Sequence, residues 1–249
     1  MTCLTAVMHL GWCGNSDPQN CRYEYQNGHA VLTLEFSSGR TPPFRILCFG
    51  AHCDDIEIGC GGTILRLLRE MKDVSVSWVV LCSDDFRAEE ARNSASRFLQ
   101  GASGKTVEVK EFRNGFFPYN GAEIKDYFEG LKGKINPDLI FTHYRQDLHQ
   151  DHRVVSELTW NTFRNHMILE YEIPKYDGDA GSPNLFVPLD RGTCAEKIEI
   201  ILRSFRSQRE KKWFTEDLFL SIMRIRGMEC NSRDGFAEGF YCRKASLLS

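Results

Sequence analysis

Two short stretches of this chain hold side chains able to do chemistry together: Ala51-His52-Cys53-Asp54-Asp55 and His143-Tyr-Arg-Gln-Asp147-Leu-His149-Gln-Asp151-His152. Imidazoles and carboxylates are donors for a divalent cation such as zinc. His52 and Asp55, three residues apart, can converge on one ion only if the backbone turns sharply between them, and Gly50 and the later glycines ease such a turn. Asp54 would then lie beside the ion without being needed to hold it, which suits a carboxylate that takes a proton from a water. A plainer reading stays open for this stretch: Asp54 and Asp55 cap the following helix, and His52 fills a polar gap. The second stretch favours chemistry. Three of the seven histidines fall there within ten residues, and His149 and His152, three apart, can share one face of a helical turn.

Each cluster begins where an apolar run of strand length ends, Arg45–Gly50 for the first and Asp138–Thr142 for the second. From Arg45 onward strand and helix patterns alternate. Helices are expected over Ile58–Met71, Ala88–Gln100 and Gly121–Lys132, with strands at Val74–Cys82 and Thr106–Phe112, and a further helix from the His cluster to Arg164. This alternation predicts an α/β fold with a mostly parallel sheet covered on both faces. Open sheets of that kind bind ligands outside the carboxyl ends of their strands, and right-handed crossovers bring those ends to one rim.

Beyond the cluster, Met167–Ile173 alternates as a strand and Leu185–Val187 reads as a short one. Between them Pro174–Asn184, rich in Gly, Asp and Pro, is a loop expected to border the site's mouth. Cys194–Gln208 and Thr215–Ile225 read as helices, the second with a Thr-Glu-Asp start. Ahead of the first cluster, Cys21–Gln26 and His29–Phe36 flank Asn27-Gly28 and predict an N-terminal β-hairpin extension. The chain thus divides into an extension, 1–43, and a main domain, 44–249.

The two clusters together resemble the PIG-L/LmbE-like zinc-dependent N-acetyl-sugar deacetylases, related to the GPI-anchor biosynthetic deacetylase and to bacterial deacetylases of mycothiol, bacillithiol and antibiotic biosynthesis. That family carries Ala-His-Pro-Asp-Asp followed by Gly-Gly, and downstream His-x-Asp-His, on a Rossmann-like sheet. The matches here are Ala51-His52-Cys53-Asp54-Asp55 with Gly61-Gly62, and His149-Gln150-Asp151-His152. Cys53 stands where the family usually has proline and Gln150 where it often does.

The resemblance implies His52, Asp55 and His152 as zinc ligands, Asp54 as general base, and His149 as the group that stabilises an oxyanion or protonates the leaving amine, oriented by Asp151. It also makes Arg87 a substrate-binding candidate, because the family places an Arg followed by Glu in this helix-start region. Glu238, in a C-terminal Ala-Glu element, is expected to support the site or contact substrate. Glu172, on the strand edge, is a third substrate-binding candidate. Each has an ordinary reading as well: a solvated helix start for Arg87, a surface carboxylate for Glu172.

Two imidazoles and one carboxylate leave a fourth position open on a tetrahedral ion, which marks a catalytic site rather than a structural one. The expected reaction is hydrolysis of an N-acetyl amide, with Asp54 taking a proton from the attacking water and a His149 imidazolium helping to hold the oxyanion. Zn2+ is the expected cofactor, with another divalent metal as the alternative. The expected partner is a small N-acetylated sugar or nucleotide sugar. Alternatives are hydrolysis of a non-sugar amide, or a metal- or sugar-binding module without catalysis. Retention of Asp54 and His149, neither needed as a ligand, speaks against the module. A dinucleotide-binding oxidoreductase is disfavoured because Gly59-Cys-Gly61-Gly62-Thr-Ile64 lacks the last glycine of that fingerprint.

Size and charge bound the rest. With 249 residues, 42% of them hydrophobic, the chain can form one α/β core. A net charge of -3 gives no basic footprint, so nucleic acid is not expected as a partner, and no apolar run is long enough to span a membrane. The ten cysteines form no Cys-x-x-Cys pair. Several fall in strands, where a thiol acts as a small hydrophobe, which points to a reducing, cytoplasmic setting. Cys53 and Cys60 flank the proposed site and are alternative metal ligands. The hairpin edge offers a route to a homo-oligomer.

Overall fold

The computed structural model describes residues 42–246. The expected N-terminal hairpin lies outside them. Strand β1 (Phe44–Gly50) sits in the middle of the sheet, and its sequence explains why: Ile46 and Cys48 enter one hydrophobic cluster while Leu47 and Phe49 enter another. A strand apolar on both sides must be covered on both sides. Its parallel neighbours are β2 (Val74–Val80) and β4 (Leu139–His143).

The remaining strands are β3 (Gly104–Val109), β5 (Met167–Tyr171), β6 (Leu185–Leu189) and β7 (Phe236–Tyr241). Their order across the sheet is β3-β2-β1-β4-β5-β7-β6. The first five run parallel, and β7 pairs antiparallel with both β5 and β6. One face is covered by α1 (Asp55–Glu70), α2 (Asp85–Phe98), α5 (Arg191–Ser204) and α6 (Glu216–Glu229). The other is covered by α3 (Gly121–Lys132) and α4 (Gln150–Thr162). The mostly parallel, two-layer-covered sheet is therefore the architecture expected from the alternation.

This topology creates the crevice. From β1 the chain moves outward through β2 and β3, then returns to place β4 on the other side of β1. The direction reverses between β1 and β4, so their carboxyl ends, each followed by a polar cluster, open side by side. Strand β7 was not read as a strand from the sequence. All six of its residues are buried, so it shows none of the alternation that marks a half-exposed strand.

Helix α1 carries Asp55 into the crevice and is held unusually from within the core. Glu238 of β7 accepts from the backbone N–H groups of Gly62 (2.8 Å) and Thr63 (2.7 Å), in the middle of the helix. Lys197 of α5 donates to the Ile58 carbonyl (2.7 Å) and to Glu238 (2.6 Å). The buried pair thus bonds α1 backbone groups that a straight helix would pair internally. Gly59 lets the helix press onto the ring of Tyr171, which a Cβ would penetrate. Glu238 therefore braces α1 from the core, and its carboxylate is fully engaged there rather than offered to a substrate.

Candidate active site

His52 and Asp55 stand at the turn from β1 into α1, while His149 and His152 stand at the start of α4. The turn closes because the Asp55 carboxylate accepts from the His52 N–H (2.6 Å). Asp54 occupies the N-cap position of α1, yet its side chain makes no capping bond. The plain capping reading of this acid does not hold.

Three donor atoms from the two clusters meet. His52 Nδ1 lies 3.1 Å from His152 Nε2 and 3.3 Å from Asp55 Oδ2, and His152 Nε2 lies 3.5 Å from Asp55 Oδ2. Donors roughly 2.0–2.1 Å from a tetrahedral ion are separated by about 3.3–3.4 Å, the edge of such a tetrahedron. The triangle therefore fits a divalent ion. Two overlapping groupings also have ligand capacity, His149 with His52 and His152, and His143 with Asp55 and His152. The ring of His149 lies 4.8 Å from that of His52 and 4.6 Å from that of His152, centroid to centroid.

Each imidazole of the triangle has a carboxylate on its far nitrogen. Asp147 Oδ2 lies 2.9 Å from His152 Nδ1, and Asp151 Oδ2 lies 3.4 Å from His52 Nε2. Carboxylates so placed fix the tautomer and orientation of a metal-binding histidine. Asp151 was expected to orient His149. Its carboxylate instead serves His52 and accepts from the N–H groups of Gly115 (2.6 Å) and Phe117 (3.2 Å), tying the loop after β3 to the site. Gly115 takes a positive φ of 75° there, a conformation suited to glycine.

His149 is neutral rather than the expected imidazolium. Its Nδ1 accepts the Asp151 backbone N–H (3.2 Å), which places its proton on Nε2. Burial, followed by the nearby His52, also lowers its pKa. The ring thus remains a hydrogen-bond donor through Nε2–H.

The other ionisable groups divide clearly. Burial alone would raise the Asp55 pKa, but the imidazoles of His152, His143 and His52 outweigh it and hold the acid ionised. Burial raises the Asp54 pKa, opposed by the Arg87 guanidinium and assisted by Asp55. Arg87 Nη2 lies 3.2 Å from Asp54 Oδ1, while its buried Nε has no partner. Arg87 therefore reaches the site through the acid and keeps one donor in reserve.

The remaining expected residues sit elsewhere. Glu172 is bonded through both oxygens to Arg226, Oε1 to Nε at 2.6 Å and Oε2 to Nη2 at 2.7 Å. It fastens β5 to α6 and is not free to bind substrate. Cys53 directs its thiol to the Cys82 carbonyl and Ser83 hydroxyl (3.4 and 3.3 Å), and burial pushes its pKa up to about 12. Cys60 donates to the Ile56 carbonyl (3.4 Å), and burial raises its thiol well above the usual range. Neither offers a thiolate at neutral pH.

Sequence reasoning gave no role to His143, Asp147 or Lys175. His143 Nε2 lies 3.2 Å from Asp55 Oδ2 but accepts the Ala51 N–H (2.9 Å), so its lone pair is occupied. Its ring stacks on His152 with centroids 3.9 Å apart and supports that residue. Lys175, in the loop after β5, donates to Asp147 (2.9 Å), so this loop does border the site. The run Asp147-x-His149-x-Asp151-His152 was the one signal able to expose Asp147.

Comparison with known proteins fits this geometry. Residues 47–163, the span holding both clusters, match the family described as PIG-L: GlcNAc-PI de-N-acetylase. Over that span the chain is similar to this family. A curated relative is the uncharacterized deacetylase YaiS of Escherichia coli K12. It is 29% identical over 156 residues, covering 58% of this chain and 82% of the relative. Among solved structures, N,N'-diacetylchitobiose deacetylase from Pyrococcus horikoshii superposes with a TM-score of 0.62 at 23% identity, covering 79% of this chain and 82% of that one. GalB, the 4-carboxy-2-hydroxymuconate hydratase of Pseudomonas putida KT2440, superposes at 0.63 with 14% identity, covering 82% and 98%. These likenesses show the fold, and its occurrence in both a deacetylase and a hydratase leaves the reaction to the site residues.

Proposed function

We propose that this chain is a metal-dependent N-deacetylase of the PIG-L type, hydrolysing the non-peptide amide of an N-acetylated sugar or sugar conjugate. The triangle of His52 Nδ1, Asp55 Oδ2 and His152 Nε2 carries the reading. These three residues would hold the ion, and two nitrogens with one oxygen make zinc our assignment. Such an ion polarises a carbonyl and acidifies a water.

Around it, the chain's own groups have distinct tasks. Asp54 accepts the proton of the attacking water, and its upward-shifted pKa suits a base that must later return it. The Nε2–H of His149 donates to the amide oxygen as charge develops there. Arg87 steadies Asp54 and offers its spare Nε–H to the sugar. Asp151 and Asp147 keep the histidines aimed. A proton delivered to the departing nitrogen leaves acetate and a sugar amine.

Free thiols at Cys48, Cys53, Cys60, Cys82 and Cys194, all buried, support a reducing compartment and the cytoplasm as the place of action. Among the described residues no helix is long and apolar enough to cross a membrane.

Metal analysis combined with acetate release from N-acetylglucosamine glycosides and nucleotide sugars tests the reading. The purified protein is expected to bind one zinc per chain and release acetate. Asp54→Asn is expected to retain the metal and lose the activity by about a hundredfold or more. Full activity after exhaustive chelation, or in Asp54→Asn, overturns it.

A further inference from the structure

We propose that a cavity of about 210 Å³ between the loop after β5 and α6 is a subsite for an apolar aglycone carried by the N-acetylated sugar. The inference rests on the deacetylase reading and adds the class of substrate.

Ile173, Pro174, Tyr176, Trp213, Leu218 and Ile222 form most of the lining. Two charged residues also line it, Lys175 and Asp179, but they are paired with each other. Lys175 Nζ bonds Asp179 Oδ2 (2.5 Å), Asp147 Oδ2 (2.9 Å) and the Ile173 carbonyl (3.3 Å), while Asp179 Oδ2 also accepts the Leu148 N–H (2.7 Å). An occupant of this cavity therefore meets mainly hydrocarbon and aromatic surface.

The same bonds fix the cavity beside the site. Asp147 holds His152, and Leu148 directly precedes His149. Leu148, whose N–H bonds Asp179 of the cavity lining, is 57% exposed, and Tyr176 of that lining is 78% exposed. An apolar cavity near 150 Å³ is known to hold benzene, so this volume admits a phenyl ring or a short alkyl chain. A group joined to the sugar, placed there, would anchor the acetamide over the metal-binding triangle.

The test compares phenyl and methyl N-acetylglucosaminides, in both anomeric forms, using zinc-loaded wild type, Ala180→Trp and Trp213→Phe. Ala180 also lines the cavity, so a bulky side chain there fills the space. Acetate release is measured alongside binding, read from tryptophan fluorescence that Trp213→Phe assigns. The expected result is a kcat/KM at least about tenfold higher for one phenyl glycoside than for its methyl counterpart. Ala180→Trp should abolish that preference and leave the methyl rate unchanged. Acetate release without preference for phenyl overturns the subsite and leaves the deacetylase standing. Phenyl-selective binding at Trp213 that Ala180→Trp removes, without acetate from any substrate, supports the subsite and overturns the deacetylase. Neither binding nor release overturns both.

Discussion

Asp147 Oδ2 sits 2.9 Å from His152 Nδ1 and 2.9 Å from Lys175 Nζ. One carboxylate oxygen thus aims a proposed ligand and anchors the loop that borders the site. Replacing the acid by its amide keeps the size and removes the charge. Asp147→Asn is expected to weaken zinc binding by about 10–100-fold, read by competition with a chromophoric chelator. Unchanged affinity would show that the contact has no part in holding the ion.

The protons of the metal-free site set its pH dependence. Burial alone would lower the His52 pKa, but Asp55 and Asp151 outweigh it and raise it to about 10. A raised histidine stabilises the metal-free fold fully below its unfolded value near 6.5, and this contribution fades as pH rises toward about 10. An entering ion must displace that proton. Between pH 7 and 9, zinc affinity should therefore rise about tenfold per pH unit, with close to one proton released per ion. Calorimetry in buffers of different ionisation enthalpy measures both. A flat profile would count against the protonated His52.

Two glycines separate packing from helix propensity. A Cβ at Gly59 would enter the ring of Tyr171, which cannot easily retreat because its hydroxyl donates to the Phe49 carbonyl (2.5 Å). Gly59→Ala is expected to cost about 1–3 kcal/mol or more. At Gly130, in α3, a Cβ meets nothing within 4 Å, so Gly130→Ala should stabilise by up to ~1 kcal/mol. Chemical denaturation checks both. Equal effects would show that the contact with Tyr171 is not what requires Gly59.

Glu172 provides a control for the site assignment. Its pairing with Arg226 joins the end of β5 to α6, and removing the acid leaves the largely buried Arg226 with Glu229 as its remaining carboxylate partner. Glu172→Ala should lower stability by on the order of 2–3 kcal/mol, while KM stays unchanged at temperatures where the protein remains folded. A raised KM with unaltered stability would return this residue to the substrate.

The sequence alone was sufficient for the parallel part of the sheet and for picking out His52, Asp55 and His152 as candidate donors. A strand apolar from Ile46 to Phe49, broken by Gly50 before His52 and Asp55, has few places to lie except mid-sheet with its polar end at the rim. The repeated strand and helix periods around it left little choice but a parallel core. Those signals are local, carried within a strand or a few turns of helix, so they survive in a linear reading.

Tertiary structure decided how those donors are supported. The Asp151 carboxylate is turned to His52, 99 residues away, by the N–H groups of Gly115 and Phe117, while Asp147 meets the nearby His152 under the hold of Lys175 from the loop after β5. His149 is neutral because the next turn of chain offers a donor to its Nδ1. Glu172 and Glu238 look available in the sequence, but an arginine and a lysine from α6 and α5 claim them once the sheet is wrapped. Burying a charge is costly unless it finds a partner, and the partner is chosen only when distant elements pack.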